Sequence, residues 1–419
     1  MIKKVLLLIV ASCLLLAGTA HAQEPLRLDG LLAEAESSNP ELAAMKSRYE
    51  SALERVPQAG AFDDPRLSLG LTNVVVDGLA FDKEPMTMKE VGLSQMFPFF
   101  GKRALKSEAA LHEARARQDE YRDKRLMVRS EVKKVYYELY SVKKGKEVVE
   151  KNLELMGIFR KVAETRYSVG KGTMRDVLKA QVEYSMLLEK KISLEREENT
   201  KRAFLGSLLG RRSPPEGVAE DISATKLGTD RDALKEDALK DKPALKAAEA
   251  RINESGAMVA LANKAFYPDF EVKVSYGQRD RLEGGIEQSD MVSAMVSMNV
   301  PVWWGSKLRP AVREAVSDKA MAENEAEAVK TEISYRVDSL LSEVEQDDRV
   351  LKLYKDTVIP QATEDLNSAL AGYEVGREDF LTLLDSRRAL FDYELGYYNM
   401  LAEREKAVAE LEAATGVEF

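Results

Sequence analysis

The sequence predicts a mixed α and β membrane protein in which four strands from each of three subunits close a twelve-stranded β-barrel, continued into a long α-helical barrel. Three observations predict it. The chain repeats itself at a nearly constant offset, each copy holds two stretches with strand periodicity, and each copy holds a helical stretch far longer than a globular core can use.

The first 22 residues read as a secretory leader. Lys3 and Lys4 precede an apolar run from Val5 to Ala17, and Ala20-His21-Ala22 sets small residues before Gln23, the pattern of an export signal rather than a membrane span. Cys13 follows Val-Ala-Ser inside the apolar run, a poor match to a lipoprotein box. Without the leader the chain has no cysteine and one histidine, His112, and losing Lys3 and Lys4 takes the formal charge from −9 to −11. A disulfide is thereby excluded, as is a His/Cys metal cluster within one subunit. The acidic balance argues against a nucleic-acid partner. No later run of about 18 apolar residues occurs, so any bilayer crossing has to be made by strands closed into a barrel.

Self-similarity organises the remainder. Asn39-Pro-Glu-Leu is answered by Lys242-Pro-Ala-Leu, Asp64-Pro-Arg-Leu-Ser-Leu by Tyr267-Pro-Asp-Phe-Glu-Val, and Phe97-Pro-Phe-Phe-Gly-Lys by Val300-Pro-Val-Trp-Trp-Gly. The clearest echo pairs RYSVGKGTMRDVLKA, Arg166 to Ala180, with GYEVGREDFLTLLDS, Gly372 to Ser386. Offsets of 203 to 206 divide the mature chain into a first repeat over 23–228 and a second over 229–419.

Each repeat opens with a helix, about Leu26 to Val56 and about Asp230 to Phe266, where Pro40 and Pro243 suit a first helical turn. Two stretches of period 2 follow. Over 66–76, Leu67, Leu69 and Leu71 alternate with Arg66, Ser68, Gly70 and Thr72; over 270–278, Phe270, Val272, Val274 and Tyr276 alternate with Glu271, Lys273 and Ser275. Their partners are 89–97 and 290–300. At roughly 9 to 11 residues, each has the length of a tilted strand crossing a bilayer. The connections Asp77 to Pro85 and Arg279 to Ser289 are polar and contain glycine, as loops in water are. A soluble sheet of half-buried strands would alternate in the same way. The aromatic residues ending each second strand, Phe97, Phe99 and Phe100, then Trp303 and Trp304, favour a membrane-interface belt instead.

Long helices come next, over 103–168 and 306–374, each predicted as continuous and rich in Ala, Glu, Lys, Arg and Leu. At ~1.5 Å per residue each reaches about 100 Å, a length that implies coiled-coil packing. Gly170 and Gly376 end them and turn the chain. Thr173 and Asp379 begin the returning helices, 173–209 and 379–415. Each return covers only about 55 Å. The first is completed by the helix from Asp230, after a break from Gly210 to Gly228 that holds Pro214-Pro215. The second is completed by the N-terminal helix from Leu26. Strand count sets the oligomer: four cannot close, eight leave no room for a solute, and twelve from three copies form a channel. An ordinary helical-hairpin turn without a task is the alternative reading of either turn taken alone.

Catalytic patterns are missing. No HExxH or GxSxG occurs, and Gly170-Lys171-Gly172-Thr173 lacks the first glycine and the preceding buried strand of a phosphate loop. The reading is therefore of a protein that is not an enzyme and takes no cofactor and no metal ion, its energy supplied by a partner. Met86, Met88, Met291, Met295 and Met298 offer thioethers to soft cations, although apolar filling is their commoner use.

With the repeat, the strand pairs ending in FPFFGKR and VPVWWGSK, and the twin turns RYSVGKGTMRDVL and GYEVGREDFLTLLD on the page, the chain resembles the outer membrane efflux protein (TolC-like) family over residues 24–416. The stretch DPRLSLGLTN and the segment EPMTMKEVGLSQMFPFFGKR are similar to its heavy-metal and resistance-nodulation-division (RND) branch. The resemblance implies a homotrimer in the outer membrane with a large periplasmic portion. It implies an exit duct for small solutes, drugs or metal ions, working with a periplasmic adaptor and an inner-membrane transporter of RND rather than ABC type. The same architecture serves type I protein secretion, and an exported trimeric coiled-coil protein is the reading from another class. The family's adaptor-contacting tip maps onto Tyr167, Val169, Gly170, Tyr373, Val375 and Gly376. Its aperture and gating positions map onto Asp385, Asp176, Tyr373 and Arg377, with Glu378 where some members carry a linking arginine and Thr382 at a second acidic position. Three copies of Asp385 on one ring would favour cations; a solvated helix residue is the plainer alternative.

Overall fold

The computed structural model describes residues 25–76, 79–227 and 230–419; the predicted leader and Cys13 lie outside the described residues. In chain order the first elements are β1 (Pro25–Leu26), α1 (Leu28–Ser38), α2 (Pro40–Gly60), β2 (Arg66–Thr72), β3 (Met88–Phe97), α3 (Lys102–Ser168), α4 (Met174–Leu208) and β4 (Val218–Ala219). There follow α5 (Arg231–Asp241), α6 (Pro243–Lys264), β5 (Phe270–Gln278), β6 (Met291–Met298), α7 (Arg309–Leu353), α8 (Ile359–Glu374) and α9 (Phe380–Thr415). Two compact units result. One gathers the described residues up to Ala43 with Lys124–Ala238 and Ser334–Phe419; the other gathers Ala44–Asp123 and Leu239–Ile333.

Several predicted elements are corrected. The helix expected over 26–56 is two, because Pro40 holds Asn39 in an extended conformation (ψ 122°) and so ends α1. The Asn39 side-chain oxygen then accepts hydrogen bonds from the N–H groups of Glu41 (2.9 Å) and Leu42 (3.1 Å), capping α2. Lys242 before Pro243 splits 230–266 in the same way. The continuous helix expected over 306–374 is interrupted by π-helical turns at Trp304–Leu308 and Tyr354–Val358. Pro310 and Pro360, which that expectation left out, follow these turns closely; each lacks the N–H that a regular helix needs, and a wider turn absorbs the defect. By contrast, α3 runs unbroken through Gly145 and Gly157. The strand expected over 66–76 ends at Thr72, since Asn73 takes a positive φ of 57°. The parallel pairing of β1 with β4 was not anticipated from the sequence.

In the second unit, β2-β3-β5-β6 form a four-stranded antiparallel sheet whose outer strands, β2 and β6, have no further partner among the described residues. The register sorts the side chains cleanly. Leu69, Val91, Tyr276 and Val292 lie side by side, as do Leu67, Leu93, Val274 and Ala294. The opposite face carries the row Ser68, Gly92, Ser275 and Ser293 and the row Arg66, Ser94, Lys273 and Met295. On that polar face Lys273 pairs with Glu90 at 3.1 Å, and Thr72 donates to Glu90 at 3.1 Å. Gly92 is required there, because a Cβ would lie 2.7 Å from Ser68 Oγ. Among the described residues nothing covers the apolar face: Leu69 is 76% exposed and Val292 73%. Alternation of this kind is what separates a lipid-facing from a water-facing surface.

In the first unit, Met156, Phe159 and Ala163 of α3 pack with Val177, Ala180 and Leu187 of α4, Leu366 and Ala369 of α8, and Phe380, Leu383 and Leu390 of α9. Spacings of three, four and seven keep these residues on one stripe of each helix, as coiled-coil packing demands. Farther along α9, Arg404 is buried at 2% exposure and fully engaged. It donates to Asp348 (3.0 Å), Glu405 (2.5 Å) and the Thr225 carbonyl (2.5 Å), while Glu405 accepts from the Thr225 N–H (3.0 Å) and hydroxyl (2.7 Å). This closed network ties the segment after β4 to α9.

Candidate functional site

Both helical turns are built by the same chemistry. Gly170 adopts the left-handed conformation (φ 73°) that glycine tolerates. Lys171 N–H then donates to the Arg166 carbonyl (2.8 Å) and Gly170 N–H to that of Tyr167 (3.0 Å), satisfying the last carbonyls of α3. At Gly376 (φ 78°) the counterparts are Arg377 to Gly372 (2.9 Å) and Gly376 to Tyr373 (3.0 Å). The returning helices are capped in mirror fashion. Thr173 accepts from Asp176 N–H (3.3 Å) while Asp176 accepts from Thr173 N–H (3.1 Å). At α9, Asp379 is the cap and Thr382 the third residue, with Thr382 N–H and hydroxyl donating to Asp379 at 2.8 and 2.7 Å. Asp379 is held below the usual carboxylate range by these bonds.

One side chain joins the two turns. Arg166 Nη1 donates to the carbonyls of Tyr373 (2.6 Å) and Glu374 (3.0 Å), Nη2 donates to that of Lys171 (3.2 Å), and the guanidinium lies 4.7 Å from the Tyr373 ring centroid. It thus places a cation at the C-terminal end of α8, where the helix dipole favours one. A Cβ on Gly376 would stand 3.3 Å from Arg166 Nη2, so glycine at 376 also makes room for the guanidinium. Sequence reasoning missed Arg166 as a site residue; its signal was a basic residue in the last turn of α3, four positions before Gly170.

The predicted tip residues divide into two sets. Tyr167, Val169 and Val375 are exposed apolar side chains around the two glycines, whereas Tyr373 is buried at 3% exposure against Phe380. Burial first, and then the charge of Asp176, raise the Tyr373 phenol above its ordinary value. Asp176 and Tyr373, two of the expected gating residues, do not hydrogen-bond each other within the subunit. Asp176 is committed to the α4 cap, and the Tyr373 hydroxyl has no partner among the described residues. Arg377, Glu378 and Asp385 are exposed. The Glu378 side chain folds over Gly372, whose Cβ would lie 2.5 Å from Glu378 Cγ. Just behind the turns, Arg387 of α9 is buried and bonded to Glu183 of α4 at 2.8 Å. Burial pushes its guanidinium pKa down. It lines a cleft of ≈300 Å³ with Met186, Lys190 and Phe391.

The predicted interface aromatics lie at the end of the sheet from which the helices depart. Phe97 meets Phe62 edge-on at 5.6 Å, Phe99 stacks on Tyr267 at 4.5 Å, and Phe100 and Trp303 are 83% and 72% exposed. Asp269 accepts from Phe99 N–H and Lys102 Nζ, both at 2.7 Å, and so fastens the start of α3 to β5. Among the described residues no helix is long and apolar enough to cross a membrane, and no group of three or more His, Cys, Asp or Glu side chains is placed to hold a metal ion.

The profile of the outer membrane efflux protein family matches residues 31–211 and 234–417, nearly the whole described chain. The chain belongs to this family. A relative, the cobalt-zinc-cadmium resistance protein CzcC of Cupriavidus metallidurans, is 23% identical over 402 residues, covering 94% of this chain and 91% of its own length. Among solved structures, the outer-membrane channel OprN aligns with a TM-score of 0.79 at 19% identity, covering 93% of this chain and 89% of that one. VceC of Vibrio cholerae aligns with a TM-score of 0.78 at 19% identity over 94% and 96%. These structural likenesses establish the fold. As an outer membrane efflux protein the chain is an outer-membrane transport component of TolC-like fold.

Proposed function

We propose that three copies of this chain join their sheets edge to edge, β6 of one to β2 of the next, closing a twelve-stranded barrel from the two tandem repeats over 23–228 and 229–419. The helices continue it as a periplasmic tube, and the whole is the exit duct of a tripartite efflux system. The supporting observation is the sheet itself. The apolar face left uncovered in the single chain calls for lipid, while the two unpaired outer strands leave backbone donors and acceptors that lipid cannot satisfy and that closure with further copies pairs.

In this reading the polar face, with Lys273 and Glu90, lines the water-filled lumen. Tyr167, Val169, Gly170, Val375 and Gly376 meet a periplasmic adaptor around the buried Tyr373. Asp385 rings the aperture, while Asp176 and Arg377 stabilise the turns that frame it. An inner-membrane RND-type transporter supplies the energy, and no step of catalysis belongs to this chain. The likeness to a protein named for cobalt, zinc and cadmium resistance favours metal ions as cargo.

The test is direct. Full-length protein extracted from outer membranes should migrate as a heat-modifiable trimer, give stepwise conductance in planar bilayers, and co-purify with an adaptor. A water-soluble monomer without conductance would overturn the proposal.

A further inference from the structure

Opposite charges collect at the two ends of the sheet. The loop segments 73–87 and 279–290 carry seven acidic and three basic residues, whereas the helix-side segments 60–66, 97–106, 264–270 and 298–309 carry three acidic and seven basic ones. The chain as a whole is acidic, at −9, so the basic end runs against its composition.

Three of those cations lie on aromatic rings. Arg103 sits 3.4 Å from the Phe62 centroid, Arg309 sits 4.4 Å from Trp304, and Lys264 Nζ is 5.6 Å from both Phe99 and Tyr267, which stack on each other. Among the described residues none of the three forms an ion pair, although Lys102 beside them holds Asp269 at 2.7 Å. The register brings Phe97, Phe270 and Met298 to one level, so this rim begins where the apolar face stops.

We propose that the helix-side rim binds the phosphate groups of phospholipids in the leaflet it faces, each ring lying at the level of the acyl-chain ends and each cation reaching the phosphate. The proposal rests on the barrel reading above. A long basic side chain with an apolar stem and a charged head suits that boundary, as does an aromatic ring. Lipid rather than free phosphate is the occupant because exposed Phe100, edge-on to Phe99 at 5.8 Å, and exposed Trp303, beside Trp304 in sequence, need apolar cover, which an acyl chain gives and a bare ion does not.

The experiment uses the full-length protein in detergent, with lipid occupancy read by native mass spectrometry and channel conductance measured in parallel. Dilauroyl phosphatidylglycerol should bind about tenfold or more tightly than dilauroylglycerol, which has the same chains and no phosphate. The double variant Lys264→Gln, Arg309→Gln should lose most of that preference while keeping its trimeric migration and conductance. Excess inorganic phosphate should not displace the lipid. Equal binding of the two lipids by the native protein, an unchanged preference in the variant, or displacement by inorganic phosphate would each overturn the proposal. Failure of the barrel reading would show separately, as absent conductance in the native protein.

Discussion

Arg166, in the last turn of one long helix, grips the carbonyl of Tyr373 at 2.6 Å in the last turn of another, 207 residues away in sequence, and lies over the same residue's ring. Among the described residues Arg166 alone, through the carbonyls of Tyr373 and Glu374, hydrogen-bonds the two turns together, so the polar link between them depends on one guanidinium. Three carbonyl acceptors on two chain segments suit a planar fork of donors and do not suit a point charge. Arg166→Lys should therefore loosen the tip nearly as much as Arg166→Gln. Trypsin cleavage near Lys171 and Arg377 should accelerate in both variants, and open-channel events in planar bilayers should lengthen. Identical cleavage and gating in the native protein and Arg166→Lys would refute the coupling.

The two turn glycines make a graded comparison. Alanine at either costs roughly 1–2 kcal/mol for its left-handed backbone. A Cβ at 170 meets nothing within 4 Å, whereas at 376 it reaches the Arg166 guanidinium. Gly376→Ala should then lower the thermal midpoint more than Gly170→Ala, and combining it with Arg166→Gln should give less than the sum of the two, because the variants share a contact. Strict additivity would show that the steric contact is immaterial.

The sheet makes an equally sharp prediction about its faces. Leu69 and Ser68 are neighbours in β2 with side chains on opposite faces. If the apolar face meets lipid, Leu69→Arg costs about 2–4 kcal/mol near mid-bilayer and blocks assembly, whereas Ser68→Lys is tolerated. Ser68→Lys should instead reduce cation current, since its side chain enters the lumen. Heat-modifiable migration and bilayer recordings on the two variants check both halves.

Much of this was legible in the residues because it depends on local chemistry. Strand alternation, the two glycine turns and the caps at Thr173 and Asp379 each follow from a few neighbouring side chains. The helix interruptions are as local, for Pro310 and Pro360 stand in an otherwise helix-rich composition. What could not be read were contacts between distant segments. Arg166 with Tyr373, Glu183 with Arg387 and Thr225 with Arg404 pair residues 179 to 207 positions apart, and no periodicity reveals which charged residue of a long helix turns inward. Asp176 shows a local role that was equally legible: three residues after Thr173, it supplies the capping bond of α4.

Asp385 lies on the exposed side of α9, while its neighbours on either side, Leu384 and Ser386, are buried. In a trimer three such carboxylates share one ring, and in a narrow water-filled passage their fields add. Asp385→Ala should shift the reversal potential in a salt gradient toward lower cation preference, while leaving Thr382 and its cap intact. An unchanged reversal potential would return Asp385 to the ordinary solvated surface of a helix.

Acid should stabilise one part of the first unit. Asp347 of α7 is only 4% exposed, and burial, followed by the charges of Glu343, Glu403 and Asp348, raises its carboxyl above the ordinary 3.8, with Arg404 opposing. A carboxyl whose folded value exceeds its unfolded one binds its proton more tightly when folded, so the unfolded chain holds fewer protons between the two values and stability falls as pH rises through them. At neutral pH Asp347 therefore carries a penalty, relieved as pH drops through its raised value and gone below about 3.8. Asp347→Asn should raise the thermal midpoint at pH 7, and its advantage should shrink steadily toward pH 4. Breaking the neighbouring network should act in the opposite sense: Arg404→Met leaves Glu405 buried without its cation and should cost about 3–5 kcal/mol. Midpoints of the two variants measured across that pH range decide the matter, for if Asp347→Asn gained nothing at neutral pH, its carboxylate would have to be better solvated than its burial beside three other acids allows.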